Sequence, residues 1–407
     1  MQTVLITGAA SGIGRDTARL FAAAGWQCVL VDNNERALHP LGQSLPSPAS
    51  AAHVLRTIDL TDPGQIASLG EGTPELDAII NNAGMSDTSN TPLAEQSQAQ
   101  MNRLLALNLA APAAVVDACS HLLKPGARIV NVASGAGLHA IPWRGAYSPS
   151  KAGLIAQTLA LAKARPDWCV TVLAPGFVRT ELVDGLIQAG RLSPERAVAK
   201  IPLGRMAMPE EMARALYFLA STGAQPLSGR VLAVNGGSSV YGGSQPFTPA
   251  AREPHPFDTP LQLEVCGGDT APWQAVAQAP AAGAHYAACL DLSPWHGAPA
   301  RLLQTVHAAA ARFAARHPAQ ASLTLVLPVE DATRWQDAGN AAATRMLVST
   351  LACEWGPRAL RINALEVPAG VDPAALHPLL RFVCGSAAQY LTGQTLACSA
   401  AIRQESR

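Results

Sequence analysis

Val4-Leu5-Ile6-Thr7-Gly8-Ala9-Ala10-Ser11-Gly12-Ile13-Gly14 is the stretch whose reading decides the fold. Val4-Leu5-Ile6 is a short apolar run of the kind a buried strand has, and a helical pattern follows from Arg15 to Ala24. Strand, glycine turn and helix in that order turn a glycine pattern into a dinucleotide site. Glycines permit the tight turn and the close approach of backbone to a pyrophosphate, which then sits at the helix N-terminus. The plainer alternative is an ordinary glycine loop. Cys28-Val29-Leu30-Val31 is a second strand ending in Asp32, about 20 residues on, where a carboxylate can bond both ribose hydroxyls. Asp32 would repel a 2′-phosphate and no Arg follows it at once, so it favours NAD over NADP, although it could also simply cap a turn.

Further along, Tyr147-Ser148-Pro149-Ser150-Lys151 puts a phenol and an ammonium four residues apart on one helix face. Pro149 requires that this be the helix's first turn. An ammonium beside a phenol is expected to lower its pKa, so that it can exchange a proton with an alcohol or carbonyl oxygen near neutral pH.

The composition suits a compact, well-buried protein: 49% of the 407 residues are hydrophobic and 14% charged. Lys+Arg and Asp+Glu balance at 29 each, so no global field attracts nucleic acid or a membrane. Eight cysteines without a C-x-x-C pair argue against a zinc site or a disulfide framework, and no metal is expected. Met1 to Ile6 lacks a basic region, and no apolar run approaches the ~20 residues of a membrane span. The expected location is cytoplasmic.

Residues 1–243 resemble the short-chain dehydrogenase/reductase family, on motifs that occur in its order. Thr7 to Gly14 fits the T-G-x-x-x-G-x-G loop. Asp59-Leu60 resembles the adenine-side aspartate segment, Asn81-Asn82-Ala83-Gly84 the N-N-A-G turn, and Asn108 the catalytic-helix asparagine. Ser134 precedes Tyr147 by 13 residues, the family's spacing. Pro175-Gly176-Phe177-Val178-Arg179-Thr180 resembles the loop beside the nicotinamide, and Ile201–Arg205, Pro209–Glu211 and Gly229–Gly237 the closing segments.

The resemblance implies a Rossmann-type α/β fold with a doubly wound parallel sheet, and hydride transfer between NAD(H) and a secondary alcohol or ketone. Tyr147 would be the general acid/base and Ser134 would hold the substrate oxygen. Lys151 would tune the tyrosine and hold a ribose, and Asn108 would position a water. The cofactor set is Gly8, Ser11, Gly12, Ile13, Gly14, Asp32, Asn33, Asp59, Leu60, Asn82, Ala83, Gly84, Tyr147, Lys151, Pro175, Gly176, Val178 and Thr180. The substrate set is Ser134, His139, Trp143, Arg144 and Phe177. A flap over 177–200 carries Leu182, Leu186, Ile187 and Leu192 at near-helical spacing. A small polyol, a hydroxyacyl compound and a cyclic alcohol all remain open as substrates.

Residues 244–260 carry Pro246, Pro249, Pro254, Pro256 and Pro260 and read as a stiff, extended linker. Residues 261–407 repeat the first half with loops lost. His53–Pro63 returns as His285–Pro294, Leu159-Ala160-Leu161 as Leu351-Ala352-Cys353, Val170–Ala174 as Leu360–Ala364, and Leu227–Ala233 as Leu391–Ala397. The offset falls from 232 to 192 to 164. Val306 then stands for Asn108, Pro328 for Ser134, Gly339 for Tyr147 and Ala343 for Lys151, and this half contains no Lys. The reading is a degenerate second Rossmann-like α/β domain without an active site. It would replace a subunit partner, so that a homodimer makes a tetramer-like particle. The competing class is a non-catalytic NAD(H)-binding regulator or scaffold.

Overall fold

A computed structural model describes residues 1–48, 51–87, 89, 95–141, 143–243, 246–276, 285–298, 301–329 and 335–399, with the side chains of 335–340 excepted. Ser244, the side chain of Gly339 and residues 400–407 therefore lie outside the described residues. Two compact units emerge from the packing: residues 1–185, 208–222 and 228–232, and residues 186–207, 223–227 and 233–407.

The strands of the first half are β1 Thr3–Thr7, β2 Gln27–Asp32, β3 Val54–Thr57, β4 Leu76–Asn81, β5 Leu123–Val132, β6 Cys169–Pro175 and β7 Val231–Val234. They form a seven-stranded sheet in the order β3-β2-β1-β4-β5-β6-β7. Its pairs from β3 through β6 run parallel, and strands such as β1 are buried along their whole length, as a sheet covered on both faces requires. The expected doubly wound Rossmann-type sheet is present.

Helix α1 (Gly12–Ala23) leaves the glycine loop, and its Thr17, Ala18, Phe21 and Ala22 turn inward. After α2 (Glu35–Ser44) and the short α3 (Pro63–Ala67), α4 (Gln98–Leu105) begins at a capping box made by Ser97 and Gln100. It passes through a π turn at Ala106–Ala110 into α5 (Ala111–Cys119). By length and composition Gln98–Leu122 does pass for a membrane span, with mean hydropathy 1.4 in an 18-residue window, which corrects the expectation that no run comes close. Its apolar side chains have a protein partner, because Val115, Val116 and Cys119 pack in one core with Leu5, Ile79, Ile129 and Val170.

Helix α6 (Tyr147–Ala164) starts at Tyr147, so Pro149 does fall in the first turn. The expected flap holds α7 (Glu181–Gln188) and α8 (Pro194–Val198), and no residue of α7 is buried. Helix α9 (Pro209–Leu219) packs on α1.

The second unit has its own parallel sheet of β8 Leu261–Cys266, β9 Tyr286–Asp291, β10 Ala321–Pro328, β11 Arg361–Val367 and β12 Thr395–Ala397, in the order β12-β11-β10-β9-β8. Between these strands come α10 (Ser293–His296), α11 (Leu302–Arg316), α12 (Trp335–Trp355) and α13 (Pro373–Cys384). Phe313 of α11 and Val348 and Trp355 of α12 share a core with Leu323, Leu325 and Ile362 of the sheet. Helix α13 packs instead on a 3-10 turn at Ala271–Val276.

This sheet departs from one pairing expected from the sequence. Strand β9 stands between β8 and β10 as β4 stands between β1 and β5, so His285–Pro294 occupies the place of β4 and its turn, not of β3. The other strands keep their places, since β11 lies between β10 and β12 as β6 lies between β5 and β7, but the matching hydrogen bonds set Val170 against Ile362, not Leu360.

Residues 246–260 contain no helix or strand, yet the segment is tied down within the second unit. Phe247 N donates to Ala199 O (3.0 Å) and Ala250 N to Gly204 O (2.8 Å). His255 N donates to Gln389 Oε1 (2.9 Å), while Gln389 Nε2 donates back to His255 O (2.8 Å).

Candidate active site

The glycine loop is built around a clamp with the N-N-A-G turn. Thr7 Oγ1 accepts from Asn82 N and Ala83 N (3.0 Å each), and Asn82 Nδ2 donates to Thr7 O (3.1 Å) and Gly8 O (3.2 Å). The fit leaves no room for side chains. A Cβ on Gly14 would stand 1.9 Å from Gly8 O, and Gly8 has φ 65° with Ala83 Cα 2.9 Å from its own notional Cβ. Behind the turn, Asn81 Nδ2 donates to Asn131 Oδ1 (2.9 Å) and Asn131 Nδ2 to Thr158 Oγ1 (2.8 Å), a buried chain that ties β4, β5 and α6 together.

Two carboxylates hold this loop from either side. Asp32, at the end of β2, accepts from Ala10 N (2.9 Å) through Oδ2 and from Asn34 N (2.9 Å) through Oδ1. Glu181 Oε2 accepts from Gly12 N (3.1 Å), and Glu181 Oε1 pairs with Arg15 Nη1 at 2.5 Å. Asp59 Oδ1 accepts from Thr61 N and Thr61 Oγ1 (2.8 Å each), beside buried Leu60. Ser11 is the extended residue before α1, Ile13 lies in its first turn, and Asn33 is exposed.

The predicted catalytic residues converge. Ser134 lies close enough to Tyr147 to pull the phenol's pKa down. Asn108, wholly buried in the π turn, accepts from Met85 N (2.9 Å) and donates to Met85 O (2.8 Å) and Ser150 Oγ (3.1 Å). A π turn places one residue where a regular helix would not, and here it aims Asn108 at α6. Lys151 Nζ donates to Val132 O (2.9 Å), its one hydrogen bond among the described residues. Lys151 Nζ and Asn108 Oδ1 each lie 3.2 Å from where Gly84 would carry a Cβ, so all three residues border one small space.

Electrostatics correct one expectation. Burial raises the pKa of Tyr147 and outweighs the Ser134 hydrogen bond and the Arg144 charge, which both pull it down. Lys151 is not what lowers it; burial pushes the Lys151 ammonium itself down to about 8. The cation acting on Tyr147 is Arg144, three residues earlier, whose Nη1 donates to Asp87 O (3.5 Å).

Of the substrate set, Arg144 and Ser134 thus act at Tyr147. Trp143 is 57% exposed in the left-handed region (φ 64°), a strained state for a bulky residue. His139 is exposed, and Phe177 is half-buried beyond Pro175 and Gly176. Val178 is buried, and Thr180 N donates to Val178 O (2.9 Å) in a tight turn before Glu181. Sequence reasoning passed over Glu181, Arg15, Ser150 and the Val132 carbonyl. The signals were slight: Glu181 directly follows Thr180, and Ser150 directly precedes Lys151.

Comparison with known proteins bears on this arrangement. The family described as Enoyl-(Acyl carrier protein) reductase matches residues 8–239. An uncharacterized short-chain type dehydrogenase/reductase of Sinorhizobium fredii, y4vI, is 39% identical over 291 residues, which are 68% of this chain and 52% of the relative. The chain thus spans about half the length of that relative. The 3-oxoacyl-[acyl-carrier-protein] reductase FabG of Rickettsia prowazekii is 34% identical over 240 residues, 58% of this chain and 96% of the relative. Among solved structures, the angucycline C-6 ketoreductase LanV with bound NADP superposes with a TM-score of 0.54 at 25% identity, over 59% of this chain and 96% of that one. With its glycine loop clamped to the N-N-A-G turn and a family match over residues 8–239, the chain belongs to the short-chain dehydrogenase/reductase family.

Proposed function

We propose that the protein is an NAD(H)-dependent oxidoreductase acting on a secondary alcohol or its ketone, with Tyr147 as general acid/base. The observation that carries the reading is the space bordered by Gly84, Asn108 and the buried Lys151 ammonium, one helical turn from Tyr147, whose pKa Ser134 pulls down. The bound dinucleotide would supply or accept the hydride. The residues present fit such a group. The loop is too closely packed for a Cβ at Gly8 or Gly14, and the buried Lys151 ammonium has three donors of which Val132 O takes one, which suits a ribose diol. Ser134 orients the substrate oxygen, and Tyr147 gives it a proton in reduction or takes one in oxidation. Burial raises the Tyr147 pKa, which favours its role as a proton donor.

NAD is favoured over NADP by the position of Asp32, whose charge would face a 2′-phosphate. Arg15, the cation in the loop, is engaged by Glu181 and by Asp16 (3.5 Å) and so does not offset it. Kinetics with both cofactors before and after Asp32→Ala test that choice. The relatives' names point to ketone substrates, among them 3-oxoacyl thioesters, and a hydroxyacyl compound joins the polyols and cyclic alcohols to be screened.

The second unit is read as a degenerate copy of the first, on four hydrogen bonds that recur at constant offsets and set Val170 against Ile362, two residues beyond the Leu360 of the sequence pairing. Gly229 N to Val170 O (2.8 Å) matches Gly393 N to Ile362 O (2.7 Å), and Val172 N to Arg230 O (3.1 Å) matches Ala364 N to Gln394 O (2.9 Å). Val170 N to Ser228 Oγ (3.2 Å) matches Ile362 N to Thr392 Oγ1 (3.3 Å), and Thr158 Oγ1 to Leu154 O (2.6 Å) matches Thr350 Oγ1 to Met346 O (2.8 Å). The copy carries none of the proton-transfer residues, and its role is that of a built-in subunit. Light scattering on the 42.2 kDa chain should accordingly give a dimer.

Tyr147→Phe is the deciding experiment. Turnover should fall by about 10²–10⁴-fold while NADH still binds. An unchanged rate would refute the proton-transfer role.

A further inference from the structure

Asp32 and Glu181 both touch the glycine loop, but they meet different parts of it. Asp32 bonds the Ala10 amide from the end of β2, on the side where a ribose is expected. Glu181 bonds the Gly12 amide at the first residue of α1. A helix N-terminus with free amides attracts anions, and in this loop the anion to be attracted is a pyrophosphate. The Thr180 Cγ2 also lies 3.1 Å from where Gly12 would carry a Cβ, so the Thr180–Glu181 corner rests directly on the loop. Arg15, one turn into α1, completes the arrangement by pairing with the other Glu181 oxygen.

We propose that Glu181 is an internal counter-ligand of the dinucleotide site, its carboxylate standing on the Gly12 amide in competition with the cofactor's pyrophosphate. The inference rests on the dinucleotide reading given above. Glu181 keeps a loop amide satisfied when no anion is bound, as an amide withdrawn from water requires. When the pyrophosphate arrives, that hydrogen bond must be given up and two like charges come close, so the residue lowers affinity and speeds release. Release of product dinucleotide limits many enzymes with mobile cofactors, and a built-in competitor would ease that step. Burial draws the Glu181 carboxyl upward, but its own backbone N–H, Arg15 and the Gly12 amide together hold it below the ordinary carboxylate range. These contacts favour the charged form of the competitor.

The test is Glu181→Gln in the full-length protein, which keeps the shape and the acceptor for the Gly12 amide and removes the charge. Titration by NADH fluorescence should show tighter binding by about three- to tenfold, a range set by a half-exposed charge pair. ADP-ribose, which retains the pyrophosphate, should gain equally, and adenosine, which lacks it, should gain nothing. Raising the salt concentration should close the gap. Glu181→Ala, checked by its melting temperature, should behave like Glu181→Gln. NADH binding that is unchanged or weakened in a folded Glu181→Gln protein would overturn the proposal and leave Glu181 as an anchor for α7. If neither the wild type nor the variant binds NADH, the dinucleotide reading fails first.

Discussion

The two sheets pass through their strands in different ways, and the difference bears on where a ligand can bind. In the first, the chain moves outward from β1 to β2 and β3, then returns to lay β4 against the other side of β1 and continues to β7. That reversal leaves a crevice outside the carboxyl ends of β1 and β4, and the glycine loop and the N-N-A-G turn are the two segments that leave those ends. In the second sheet each strand lies beside its predecessor from β8 to β12, with no reversal among the described residues. Among the described residues, the second sheet therefore lacks the strand-order reversal at which the first sheet's glycine loop and N-N-A-G turn meet.

The comparison can be broken most forcefully at Arg361. By the offset of 192 it stands where the first sheet has Cys169, a buried thiol pushed up to about 11. The Arg361 guanidinium is 1% exposed and donates to Tyr286 Oη (2.8 Å) and to the carbonyls of Val383, Ala388, Leu391, Cys384 and Gly385. It fastens α13 and the following turn to the sheet. Arg361→Ala leaves those carbonyls unpaired and is expected to destabilise the second unit by about 3–5 kcal/mol, read from denaturant midpoints. A loss below about 1 kcal/mol would show that the second sheet holds together without this cation.

Lys151 gives the next effect. Its folded pKa of about 8 lies below the ordinary 10.5, so below pH 8 the buried ammonium costs stability in full. As pH rises from about 8 through 10.5, the unfolded chain binds more protons than the folded one, and the cost disappears. Lys151→Met should abolish turnover. It should also raise stability by about 1–3 kcal/mol at pH 7, with the gain shrinking by pH 10.5. Urea melts at the two pH values check the sign.

The shared hydrogen bonds allow a finer comparison. Thr392→Val should cost about 1 kcal/mol, and Ser228→Ala somewhat less, because Thr392 is fully buried and Ser228 is not. The smallest expected effect is at Arg144, which the second unit does not repeat. Arg144→Gln should move the basic limb of the alcohol-oxidation profile up by about half a pH unit, since one lowering influence on Tyr147 is gone. A downward shift would mean that Arg144 acts on something else.

Much of the first unit was legible because its chemistry is local. Glycines at fixed spacing, Asp32 at a strand end and Tyr147 four before Lys151 each define a turn or a helix face without help from distant residues. Glu181 was not legible, because it meets Gly12 from 169 positions away and only the packed fold brings them together. The sign of the Tyr147 shift was missed for a related reason. A charge four residues away can be counted from sequence, but the burial that overrides it cannot. The pairing of His285–Pro294 with the wrong strand has its own cause. An acidic residue at a strand end followed by proline at a helix start recurs wherever a strand feeds a helix, and sheet position depends on which neighbours hydrogen-bond.

The tied-down proline segment has a practical consequence for fragment work. Residues 199–204 accept its hydrogen bonds, Pro202 lies against Gly356, and Gly236 N donates to Tyr390 O (3.0 Å), all within the second unit. A clone that stops at residue 243 would carry the segments around Ile201 and Gly236 without the surface they fold against. A protease that nicks the chain between Pro246 and Pro260 would do something else: the two pieces should still elute together, joined by packing after the peptide bond is gone.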